Sequence, residues 1–69
     1  KLEHTEKVEL IRNGLNSLPD YQRDVIIMKI YHGLKFDDIS QIMKSNLSST
    51  KSRYQQGIKK LKIIFKEMY

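Results

Sequence analysis

The sequence predicts an all-α domain, and three observations carry that reading. Apolar residues recur at intervals of three and four, no stretch alternates apolar and polar residues as a half-buried strand does, and Pro19 is the only proline. With 69 residues the chain has room for one small domain with one core. The punctuation divides it into four helices near residues 5–16, 19–32, 36–43 and 46–67, the last by far the longest.

The first helix places Val8, Ile11 and Leu15 on one face, with Thr5 as its N-cap and Glu6 in its first turn. "NSLPD" ends it. Pro19 suits the first position of the second helix, where its missing N–H is no loss, and Asp20 favours the positive end of the helix dipole. That helix is apolar through Val25, Ile26, Ile27, Met28, Ile30 and Tyr31, which is more than one face can bury, and Gly33 closes it in the left-handed conformation. "KFDDISQIM" is a short third helix offering Phe36, Ile39, Ile42 and Met43 to the core. Adjacent carboxylates on a helix point about 100° apart, so Asp37 and Asp38 suit the dipole instead of forming an acid–base pair.

"KSN" is a tight turn, and Asn46 is a good N-cap for the fourth helix. Its apolar stripe runs Leu47, Thr50, Tyr54, Gly57, Ile58, Leu61, Phe65 and Met68, which assigns Tyr54 to the core. On the opposite side gather Ser48, Ser49, Ser52, Gln55, Gln56 and Lys59.

Composition narrows the function. Without cysteine there is no disulfide and no thiolate metal site, and His4 and His32 are too far apart in sequence to suggest zinc, so neither metal nor cofactor is expected. His32 precedes a helix-ending glycine and has no serine or cysteine nucleophile in its setting, so no catalytic role is expected and the chain reads as a non-enzyme. No apolar run approaches the roughly 20 residues of a membrane span, and "KLEHTEKVEL" is charged where a signal peptide is apolar, which points to a cytoplasmic protein. Residues 1–43 hold six Lys/Arg against seven Asp/Glu, whereas residues 44–69 hold seven against one. All of the net charge of +5 therefore comes from the last third, as on a surface that meets a polyanion.

A short helix, a turn and a longer helix with a polar, basic outer face make a helix-turn-helix. In a major groove about 12 Å wide, Gln can bond bidentately to adenine, Ser and Thr can donate or accept at several base edges, and Lys or Arg can reach guanine or phosphate. Small Ser48, Ser49 and Ser52 leave room for close approach, and the flanking cations would supply salt-dependent affinity. The same periodicity is also compatible with a helical bundle whose polar face is merely solvated.

The stretch from Ser17 to Lys62 resembles region 4 of bacterial extracytoplasmic-function sigma factors of the sigma-70 family. Leu18-Pro19, Gly33-Leu34, Asp37-Asp38-Ile39 and Lys51-Ser52-Arg53 match that family's motifs in order and without a gap. The resemblance implies a winged-helix-like four-helix domain at the C-terminal end of a longer chain. Such a domain binds the minus-thirty-five promoter element of double-stranded DNA and directs transcription initiation while docked on the flap of the RNA polymerase β subunit. It implies base contacts from Ser48, Ser49, Lys51, Ser52, Gln55 and Gln56, and phosphate contacts from Lys29, Lys35 and Phe36. Arg53 matches the family's arginine but lies beside the outward face, where it would hold a phosphate or the fold; Lys59 continues the phosphate-contacting edge.

The chain departs from the family at Lys44, usually glycine, at Ser45, usually aliphatic, at Gln56, often arginine, and at Lys35, usually a capping serine whose loss costs about 1 kcal/mol. The first two suggest a looser or differently anchored turn. Ile26, Ile27 and Met28 are the candidate partner surface, for polymerase or for an anti-sigma factor. Two other readings stay open: the DNA-binding domain of a LuxR-like response regulator, and a sigma-like adaptor that holds a protein partner and has lost DNA binding.

Overall fold

A computed structural model describes the backbone of residues 4–68, with the side chains of residue 6 and residues 8–66. Four helical segments appear in the expected order, with no strand among the described residues: α1 (His4–Asn16), α2 (Asp20–Ile26) continued by a π-helical turn (Ile27–Tyr31), α3 (Phe36–Ile42) and α4 (Leu47–Met68). Helix α1 already includes His4 and Thr5, so Thr5 is not its N-cap; the Thr5 side chain and Met68, last on the α4 stripe, lie outside the described side chains.

Pro19 sits one residue earlier than expected, as the extended N-cap of α2 (φ −56°, ψ 149°), with its carbonyl accepting from the Gln22 and Arg23 N–H groups at 3.0 Å. After Ile26 the helix widens, the His32 N–H reaching the Ile27 carbonyl at 3.3 Å and the Leu34 N–H reaching Met28 at 3.1 Å. The sequence gives no sign of this widening. Gly33 then turns the chain with φ 64°, as expected.

The turn between α3 and α4 is a complete Schellman motif. The Ser45 N–H bonds the Ser40 carbonyl at 2.9 Å, the Lys44 N–H bonds Gln41 at 3.2 Å, and Lys44 itself is left-handed with φ 53°. The turn is therefore not loose. It has the same hydrogen bonds a glycine would allow, with a β-carbon carried in a conformation that disfavours one.

Leu18, Val25, Ile26, Ile39 and Leu61 are buried, and Leu15, Tyr54, Ile58 and Phe65 pack against them. Tyr54 meets Phe36 edge-on at 5.3 Å between ring centres, which bears out its assignment to the core. Ile42 does not join them; it is exposed on the outer side of α3. Helix α4 runs unbroken through Gly57, where α2 comes so close that a Cβ would lie 2.5 Å from Ile26 Cδ1. The glycine is the contact surface itself.

Candidate nucleic-acid interface

The start of α4 is closed by a side-chain cap and by backbone bonds to the same residue. Asn46 Oδ1 accepts from the Ser49 N–H at 2.7 Å, and the Asn46 carbonyl accepts from the Thr50 N–H at 3.0 Å and from Thr50 Oγ1 at 2.9 Å. Thr50 is fully buried, which fixes the rotation of the helix about its axis. Ser48, Lys51, Ser52, Gln55, Gln56 and Lys59 consequently face solvent, with Ser49 half-buried beside them.

Two grooves flank this ridge. On one side Lys29, Lys35 and Lys51 line a recess with Phe36, Asp37 and Leu47. Lys29 Nζ donates to the Leu34 carbonyl at 3.2 Å and lies 4.5 Å from the centre of the Phe36 ring, so its ammonium is held in place. On the other side Tyr21 and Arg53 border a recess with Ser48, Ser49, Ser52 and Gln56, and the Arg53 guanidinium lies 5.4 Å from the centre of the Tyr21 ring. Among the described residues the ion pairs involve only Arg12 and Arg23, so none of the interface cations is held in an ion pair, with Asp37 bordering the lysine recess.

Three expectations need correction. Phe36 is no phosphate ligand through its side chain, which is enclosed between Lys29 and Tyr54; only its backbone N–H, at the start of α3, remains for an anion. Ile26 is no partner contact, being 3 % exposed against Gly57, while Ile27 and Met28 are half-buried; the widened turn instead exposes Ile30 and Tyr31, at 58 % and 74 %. Gln56 is not equivalent to Gln55. Its Oε1 accepts from buried Gln22 Nε2 at 3.1 Å and its Nε2 donates to Ser52 Oγ at 3.3 Å. Lys35 begins α3 without a side-chain cap, as the missing serine implies.

Tyr21 and Gln22 were missed by sequence reasoning. Nothing marks Tyr21, but Gln22 falls in helical register with Leu18, Val25 and Ile26, all buried, and that register alone would have turned it inward.

A short helix, a closed turn and a capped helix that presents hydroxyls and amides between two cationic walls define a helix-turn-helix domain of the nucleic-acid-binding class. Residues 9–61 match the family described as sigma-70, region 4, and the chain belongs to that family, of non-enzymatic transcription regulators with a DNA-binding role. It is 40% identical over 48 residues to an extracytoplasmic-function RNA polymerase sigma factor, SigK, of Mycobacterium sp. strain JLS, and equally to that of strain KMS. Each match covers 70% of this chain and 25% of the relative, so the chain spans about a quarter of the length of these curated relatives. The LuxR-like alternative is set aside by this membership. No helix among the described residues is long and apolar enough to cross a membrane.

Proposed function

We propose that this chain is the promoter-reading domain of an extracytoplasmic-function sigma factor, the C-terminal part of a longer cytoplasmic protein, and that it binds the minus-thirty-five element to direct initiation by RNA polymerase. The observation that carries the reading is the ridge of Ser48, Ser52 and Gln55 at the start of a capped helix, with cations on both flanks. A helix laid in the major groove meets base edges along its ridge and a phosphate strand on either side. Lys29, Lys35 and Lys51 suit one strand and Arg53 the other, while Gln55, free of internal hydrogen bonds among the described residues, suits direct reading of adenine. Lys59, two turns beyond Ser52, reaches phosphate at the rim.

The polymerase flap, or an anti-sigma factor in its place, would meet the apolar groove in which Ile30 and Tyr31 lie beside Ile27 and Phe65. An adaptor that has lost DNA binding would use this groove alone. Selection of this chain on a random duplex library at moderate salt separates the two. The promoter reading expects one enriched motif, bound about a thousandfold or more tighter than scrambled duplex; recovery of no motif favours the adaptor.

A further inference from the structure

Gln22 is 2 % exposed, has no counterpart in the direct-contact surface, and its Oε1 has no hydrogen-bond partner, a costly arrangement for a buried amide. What the side chain does make is one bond, from its Nε2 to Gln56 Oε1 on the recognition helix. We propose, resting on the promoter reading above, that Gln22 is a positioning residue for sequence readout: it sets the order of donor and acceptor that Gln56 and Ser52 present to the major groove.

The chemistry is one of direction. A glutamine amide on a helix surface can rotate by half a turn, exchanging its oxygen and nitrogen at little cost, and so offers a base edge either order. The Gln22 N–H bonds only an acceptor, which pins the Gln56 oxygen inward and leaves Gln56 Nε2 to donate to Ser52 Oγ at 3.3 Å. Gln56 keeps one lone pair and one N–H, a complementary pair for the adenine edge. Ser52, with one lone pair occupied by Gln56, has its proton and its second lone pair left for the groove, the proton suiting purine N7, guanine O6 or thymine O4. Each bond polarises the next in the same sense. The relay begins in the core, where Gln22, buried with Leu18 and Val25 on the same face of α2, meets the recognition helix through this one bond.

The test is Gln22→Met, which keeps length and volume and removes the donor together with the unpaired acceptor. Preference profiles of the wild-type chain, Gln22→Met, Gln56→Ala and the double variant are read on duplexes permuted one base pair at a time, with thermal unfolding followed in parallel. The expected result is a folded variant whose preference falls about fivefold or more at the one or two base pairs that Gln56→Ala also affects. Affinity for scrambled duplex stays within about twofold, and the double variant is no worse than Gln56→Ala. Gln22→Leu serves if the methionine variant does not fold. A uniform loss on all duplexes, or an unchanged profile with Gln56→Ala altered, overturns the proposal while leaving the promoter reading intact. A wild-type chain with no base preference anywhere overturns both.

Discussion

The two halves of α4 share one helix and one apolar stripe, yet they present opposite chemistry. From Leu47 to Gln56 the helix is fixed from three sides, by the Asn46 cap that Thr50 completes, by Tyr54 against Phe36 of α3, and by Gln22 of α2, and it turns outward hydroxyls and amides with the single exposed cation Lys51. Beyond Gly57 it leans on α1, where a Cβ on Gly14 would stand 3.2 Å from Leu61 and 3.1 Å from Phe65, and it turns Lys59, Lys60, Lys62 and Lys66 outward. Base reading needs atoms held to within a fraction of an ångström, whereas phosphate attraction tolerates a flexible four-carbon stem. On the proposed function, one helix would separate reading from anchoring along its length, with the capped half placed for reading.

The contrast can be broken at its midpoint. Gly57→Leu drives a side chain into Ile26 and pushes α2 away, with an expected loss of about 2–3 kcal/mol in urea unfolding, and both halves lose their support together. Asn46→Ala removes the cap of the reading half alone; about 1 kcal/mol is expected, with specific binding weakened more than attraction to scrambled duplex. Lys44→Gly sharpens the comparison in the other direction. It relieves the left-handed strain at the cost of some chain entropy, for a net gain of roughly 0.5–1 kcal/mol in denaturant midpoint analysis. The smallest effect belongs to the anchoring half, where Lys59→Ala lowers the slope of log affinity against log salt by about one and leaves the preferred motif unchanged.

Most of the fold was legible in the sequence because helix punctuation is local. Pro19, Gly33 and Asn46 act through their own backbones and immediate neighbours, and each occurs at or within a residue of its expected role. The outward set on α4 was legible for a similar reason, since a continuous stripe from Leu47 to Phe65 fixes the opposite face by geometry alone. What escaped depends on contacts between helices. The π-helical turn leaves Ile30 and Tyr31 exposed, whereas the sequence, with an apolar run too wide for one face, points to Ile26, Ile27 and Met28. Gln55 and Gln56 are indistinguishable in sequence. They differ because Gln22, 34 positions away, reaches one of them and not the other.

The separation of reading from anchoring is tested most directly by salt titration of Gln55→Ala and Lys59→Ala, each on the selected duplex and on a scrambled one. Gln55→Ala is expected to lose about 1–3 kcal/mol on the selected duplex and almost nothing on the scrambled one, with the salt slope unchanged. Lys59→Ala is expected to weaken both duplexes alike and to reduce the slope by about one. If Gln55→Ala weakens both duplexes equally, or weakens neither, α4 does not read sequence and the account is contradicted.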